Sequence, residues 1–330
     1  NIIGRLWRRF MVLKLMIGFI VSLAVVLVLM PPFITYLKKL SFKQSVSEYA
    51  LEDDQKKAGT PIMGGVLFIL VPILVTLVAF PSSMKDLNVW IIILAFVGYG
   101  LIGFIDDFLI AVKKNNDGLT PKQKFTMQVV LAAAFFFLYR MHGDLSIILP
   151  FSKTTLSLGW LYFLLVLFMF AGSSNAVNLT DGMDGLSSGV TIIALVPYAI
   201  ITYVQQKYTV LMFVLCLIGA LLGYLYYNKK PAKVFMGDTG ALALGGVLAA
   251  LAMVTKTELP LIFIAGVPVI ETLCVIIQQV SVRTVHKRVF VYTPIHYAFV
   301  LKGHKETTVV KRFYILTLIL SVIGLVLYIF

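Results

Sequence analysis

Ten apolar runs, each about as long as a bilayer core is thick, leave this chain few folds to choose from. They occupy residues 15–37, 62–80, 89–112, 125–141, 158–176, 187–204, 209–227, 239–254, 259–282 and 311–329. A helix needs about 20 predominantly apolar residues to cross the hydrocarbon, where backbone N–H and C=O groups must be satisfied without water. Only 13% of the 330 residues are charged, against about 25% in soluble domains. The alternating segments of a membrane β-barrel are absent. The runs therefore predict an all-α polytopic membrane protein with about ten transmembrane helices. They form a single domain over 1–330, with 1–14 as a non-core N-terminal segment, native or remnant. Cys216 and Cys274 lie inside apolar runs without CxxC spacing and read as packing residues.

An even number of spans puts both termini on one side, and the basic residues choose which. With the loop after the first run cytoplasmic, nineteen of the 28 Lys and Arg residues collect inside. Both termini are then extracytoplasmic. The net charge of +13 is concentrated on the cytoplasmic face, where anionic headgroups or an anionic substrate would meet it. Topology alone would also produce this bias, so it points to a lipid bilayer and leaves a substrate role for any single lysine open, with no nucleic acid partner expected. The outer connections are short, and the longest, around 142–157, is expected to form a small hairpin.

Five of the 15 acidic residues fall in three clusters at the cytoplasmic ends of runs. Ionisable groups at membrane depth are costly and usually functional. Asp106 and Asp107, in "GFIDDFLIAVKK", should repel each other unless a cation or basic side chain stands between them. "VFMGDTGALALGG" puts Gly237 and Asp238 where a run begins. Glycine lets backbone N–H groups approach a ligand there, and a helix N-terminus favours phosphate. Capping the helix is the plainer role for such an aspartate. "NLTDGMDGL" repeats the arrangement with Asp181 and Asp184. Basic partners are close in sequence: Lys57 before "GTPIMGG", Lys122 and Lys124 at the start of the fourth run, and Asn228 with three lysines in "YNKKPAK". Aspartates with open oxygens suit Mg²⁺, which binds through one or two carboxylates plus substrate phosphates. Together these features indicate metal-assisted phosphoryl transfer on an amphiphilic phosphate at the membrane surface.

"GTPIMGG", "FIDDF", "NLTDGMDGL", "YNKKPAKVFMGDTGALALGG" and "PIHYAFVLKGHKE", in this order, resemble the phospho-N-acetylmuramoyl-pentapeptide transferase family. That family belongs to the polyprenyl-phosphate N-acetylhexosamine-1-phosphate transferases. The resemblance implies transfer of phospho-MurNAc-pentapeptide from UDP-MurNAc-pentapeptide to undecaprenyl phosphate, giving lipid I and UMP for peptidoglycan synthesis. It also implies a Mg²⁺ cofactor, ten helices with a cytoplasmic cleft in the bacterial plasma membrane, a homodimer, and inhibition by nucleoside antibiotics such as tunicamycin and muraymycin. By motif position, Asp106 and Asp107 match the paired aspartates, Asp238 the magnesium ligand, and Asn228 an active-site asparagine. Asn178, Asp181 and Asp184 match the nucleotide-side loop, Phe235 the aromatic that stacks on uracil, and Lys57 a lysine near the diphosphate.

The chain departs from the family where PxHHHFE is usual. It reads Pro294-Ile295-His296-Tyr297-Ala298-Phe299-Val300, so His296 must carry whatever the histidine cluster does. Two other functions share parts of the pattern. A sibling transferase using UDP-GlcNAc has the aspartate motifs, but "GTPIMGG" and "LKGHKE" favour the pentapeptide branch. A lipid or ion transporter would place its acids near the midplane, at broken helices, whereas here they gather at one face.

Overall fold

The computed structural model describes residues 2–40, 59–113 and 118–330, and among them each of the ten runs is helical over most of its length. The helices are α1 (Ile2–Lys39), α2 (Gly65–Ala79), α3 (Leu87–Lys113), α4 (Pro121–Arg140), α5 (Leu161–Thr180) and α6 (Leu186–Val204). They continue with α7 (Tyr208–Asn228), α8 (Gly237–Thr255), the short α9 (Leu261–Ile264), α10 (Gly266–Thr284), the short α11 (Ile295–Leu301) and α12 (Glu306–Ile329). Eight of them are long and apolar enough to cross a membrane, and α2 is a shorter apolar helix. This is an all-α, multi-pass membrane architecture.

Two boundaries differ from expectation. α1 begins at Ile2, so the stretch before the first apolar run is continuous with it. The run at 259–282 is divided: α9 ends before Ala265 and α10 starts at Gly266. Pro260 caps α9, and Pro268 lies in the first turn of α10, where a missing N–H costs no helical bond. The expected hairpin is present as β1 (Ser146–Ile148) paired antiparallel with β2 (Thr155–Ser157), Ile147 facing Leu156.

α8 is the axis of the bundle, buried along its length from Thr239 to Thr255. Its sequence, GDTGALALGGVLAALAMVT, is mostly small residues. In lipid there is little water to expel between helices, so association depends on close packing, and small residues allow it. α3 comes so near that a Cβ added at Gly103 would lie 2.0 Å from the Asp238 carbonyl oxygen. α5 contacts the far side equally closely: a Cβ at Gly245 would be 2.3 Å from the Ser173 carbonyl oxygen. Around this axis Tyr99 stacks on Phe170 at 5.8 Å and donates its hydroxyl to the Gln128 carbonyl at 2.8 Å.

Candidate active site

The N-terminus of α8 organises the first acid cluster. Gly237 has φ +68°, and a Cβ there would lie 2.3 Å from Asp107 Oδ2, so glycine is required twice over. The space is filled by the Asp107 carboxylate, which accepts from the Asp238 N–H at 3.1 Å, the Thr239 N–H at 2.9 Å and the Thr239 hydroxyl at 2.6 Å. The first N–H groups of a helix lack internal partners and carry a partial positive charge, and Asp107 supplies the acceptor from α3. It is buried, and its oxygens are occupied.

Asp106 faces elsewhere, because successive residues on a helix point about 100° apart. Its Oδ1 accepts the Leu119 N–H at 2.7 Å and its Oδ2 the Lys124 ammonium at 3.0 Å. The same ammonium lies 2.5 Å from Asp238 Oδ2. The two neighbouring acids therefore do not share a cation, as their adjacency suggested. Asp106 shares one with Asp238, across three helices. Lys124 is held in place by its own helix start: Pro121 opens α4, and Thr120 and Gln123 form a reciprocal capping box at 3.2 and 3.0 Å. The Asp238 side chain is 26% exposed, the most open of these acids.

These residues fit a magnesium ion. Asp106 and Asp238 offer hard carboxylate oxygens converging on one cationic group, and Mg²⁺ is commonly held by one or two carboxylates with phosphates and water completing its shell. No cluster of three or more His, Cys, Asp or Glu groups exists among the described residues, so a site here must be of this open kind.

A strap, residues 228–239, connects that cluster to the second one. Asn228, buried at the end of α7, accepts from the Gly185 N–H at 3.1 Å and the Ser188 hydroxyl at 3.0 Å, and donates to the Val234 carbonyl at 3.0 Å. Its amide is thus employed in shaping the turn. The Ala232 N–H donates to Asp184 Oδ2 at 2.9 Å. Phe235 pairs through its backbone with the glycine-rich segment: its N–H reaches the Pro61 carbonyl at 2.9 Å, and its carbonyl accepts the Gly64 N–H at 2.8 Å. The ring is half-buried against the main core.

The second cluster is the turn between α5 and α6. Asn178 is in the last turn of α5, and Asp181 is its C-cap, bonded through its N–H to the Asn178 carbonyl at 3.0 Å. Tyr297 donates its hydroxyl to the Gly182 carbonyl at 2.9 Å, and Tyr314 donates to the Gly185 carbonyl at 2.5 Å. His296 is completely buried behind this turn, its Nδ1 3.0 Å from Glu271 Oε1. Its Nε2 is so close to Gly182 that a Cβ there would lie 2.2 Å away. The imidazole braces the turn from behind.

Asp106, Asp107, Lys124, Gly237 and Asp238 are brought directly together, and the strap joins Asn228, Phe235 and Asp184 to them. Lys122 is exposed on the first turn of α4. Lys57 lies outside the described residues. Two acids in the site's walls escaped the sequence reading. Glu271, fully buried in α10, accepts the Ile295 N–H at 2.6 Å and the His296 N–H at 3.2 Å. Glu306 accepts the Asp184 N–H at 2.9 Å and pairs with Lys230. An acid inside the otherwise apolar run 259–282 was the available signal for Glu271.

Residues 89–256 of this helical membrane architecture, which carry most of these acids and the glycine-lined helix start, match the family described as glycosyl transferase family 4 and place the chain among transferases. The chain is 46% identical over 312 residues to the phospho-N-acetylmuramoyl-pentapeptide-transferase of Bacillus cytotoxicus, covering 94% of this chain and 95% of that one. It is 45% identical to the enzyme so named from Bacillus subtilis, over 94% and 95% of the two chains. The one from Geobacillus kaustophilus is 44% identical, with 94% and 97% covered. The chain belongs to the phospho-N-acetylmuramoyl-pentapeptide transferase family.

Proposed function

We propose that this protein transfers phospho-MurNAc-pentapeptide from UDP-MurNAc-pentapeptide to undecaprenyl phosphate, releasing UMP and forming lipid I for peptidoglycan synthesis. The observation that carries the reading is the ammonium of Lys124 held between Asp106 and Asp238 at 3.0 and 2.5 Å, at the start of a helix. A charge arrangement of this kind suits a diphosphate. Family membership over 94% of the chain supports the choice of sugar and lipid. The distribution of basic residues supports a cytoplasmic site in the bacterial plasma membrane. A homodimer and inhibition by tunicamycin and muraymycin belong to the same proposal.

The lipid phosphate has a second pKa near 6 and is mostly dianionic at neutral pH. It therefore attacks without first losing a proton. An oxygen of the lipid phosphate bonds to the phosphorus bearing the sugar, the bond from that phosphorus to the bridging oxygen breaks, and its electron pair leaves with UMP. Magnesium, when bound, neutralises charge across the diphosphate. Asp238, the most open acid, would hold it, and Asp106 would position the acceptor phosphate. Asp107 keeps Asp238 in register by holding the N–H groups of Asp238 and Thr239. Phe235 offers a ring face to uracil, and the turn containing Asn178, Asp181 and Asp184 forms the adjoining wall. Lys57 and Lys122 add positive charge for the phosphates.

The test is UMP release by the purified protein in detergent. It should require undecaprenyl phosphate, Mg²⁺ and UDP-MurNAc-pentapeptide together. Turnover with UDP-GlcNAc in place of the pentapeptide substrate would assign the chain to the sibling chemistry instead.

A further inference from the structure

We propose that Lys124 is a tethered cation that holds the metal position closed until magnesium displaces it, whereupon its ammonium is free to pair with the substrate diphosphate. The inference rests on the metal-dependent reading above and concerns what Lys124 does before and after the metal arrives.

The geometry is asymmetric in a way that suits exchange. Asp106 keeps a second donor, the Leu119 N–H at 2.7 Å, whether or not Lys124 is present. Asp107 is satisfied by the start of α8 and does not compete for the cation. For the Asp238 carboxylate, Lys124 is the hydrogen-bond donor found among the described residues. Two carboxylates from different helices repel unless a positive charge lies between them. The ammonium supplies that charge, at 3.0 and 2.5 Å. A metal ion ligated by Asp238 Oδ2 needs the same oxygen, so metal binding and the Lys124–Asp238 bond exclude each other. Two events that exclude each other are negatively coupled, and each weakens the other by the same factor.

The capping box fixes the base of the lysine while leaving its end on a flexible four-carbon stem. A cation released there remains at the site, beside the anion the metal has attracted. The exchange also keeps the two acids from standing unscreened in a low-dielectric region between turnovers.

The probe is Mn²⁺ as a spectroscopic substitute for magnesium, titrated by electron paramagnetic resonance into the full-length protein in detergent, with unfolding temperature measured with and without Mg²⁺. Lys124→Gln removes the competing charge and is expected to bind Mn²⁺ about tenfold more tightly than wild type. It should also unfold at a lower temperature without metal and gain more from added Mg²⁺. Lys124→Arg places a two-pronged, less easily displaced cation between the same acids, and is expected to bind Mn²⁺ more weakly than wild type. If Lys124→Gln is too unstable to titrate, the Arg variant decides. A folded Lys124→Gln protein with wild-type or weaker Mn²⁺ affinity, or an Arg variant that binds more tightly, overturns the exchange. Equal Mn²⁺ binding by wild type and Asp238→Asn would overturn the metal-dependent reading beneath it, a distinct failure.

Discussion

The two ends of α8 are built from the same ingredients and put to opposite uses. At one end, Asp238 and Asp106 share the ammonium of Lys124, and Asp238 is partly open. At the other, about 28 Å away for 19 residues, Lys256 turns back in the left-handed region at φ +58°. Its ammonium reaches the carbonyls of Asp144, at 2.6 Å, and Ser146 at the edge of the hairpin, and lies 3.5 Å from Glu258. Glu258 accepts the Tyr162 hydroxyl at 2.6 Å, and Lys207 donates to the Val254 carbonyl at 2.6 Å. With the Gln205 amide, which donates to the Thr255 carbonyl at 2.8 Å, Lys207 thus covers carbonyls that the helix C-terminus leaves unpaired. Buried charge at the far end is saturated by fixed partners. At the site end one lysine serves two acids. Buried charge stabilises when it is saturated and is available for chemistry when it is shared.

Three variants test that contrast, the largest effect first. Asp238→Asn should keep its fold and its unfolding temperature while UMP release falls about a thousandfold or more, since on the proposed function it removes charge where the diphosphate reacts. Near-normal Mg²⁺-dependent turnover would remove Asp238 from the chemistry and erase the difference between the ends. Lys256→Met should do the reverse. Breaking a buried pair leaves an uncompensated acid and costs about 3 kcal/mol, read as earlier unfolding in detergent, with turnover per folded molecule unchanged. A stable Lys256→Met protein would mean that the far end is as loosely held as the site.

The smallest effect sharpens the comparison through pH. Burial, the largest influence, holds the Glu258 carboxyl above its ordinary range, against the lowering effect of Lys256. The native state therefore binds more protons than the unfolded chain between the ordinary and the raised pKa, and stability falls as pH rises through that window. The contribution is fully present below the ordinary carboxylate pKa and is lost above the raised one. Glu258→Gln retains an acceptor for the Tyr162 hydroxyl and should flatten this decline. A decline of unchanged slope in thermal unfolding from acidic to neutral pH would assign it to another group.

The fold was legible because bilayer thickness sets run length, and a run of apolar residues must satisfy its own backbone as a helix. The break between α9 and α10 was hidden, since Ala265 and Gly266 continue the apolar pattern while the hydrogen bonds change. The grouping of the candidate site was also legible: Asp106, Asp107 and Asp238 do converge, and one strap links them to the turn at 181–185. What residue identity could not convey was direction. Asp106 and Asp107 are chemically alike and adjacent, but one meets an ammonium and the other a helix terminus. Asn228 and His296 match motif positions, but both are buried with side-chain bonds to protein neighbours. Glu271 fell outside every motif and Glu306 only closes one, "LKGHKE", and the partners of both are set by tertiary contacts more than 20 residues away in sequence.

The glycine seam between α3 and α8 also constrains how this protein can evolve. A side chain at Gly103 would run into the Asp238 backbone, and one at Gly237 into the Asp107 carboxylate. No other amino acid is conservative at such a position, because even one methyl group is too much. Selection acting on this buried seam therefore meets a one-letter alphabet. If Phe235 and Lys122 meet the substrate as proposed, variation at the site has to arise at such side chains, where it would also alter the hold on the substrate.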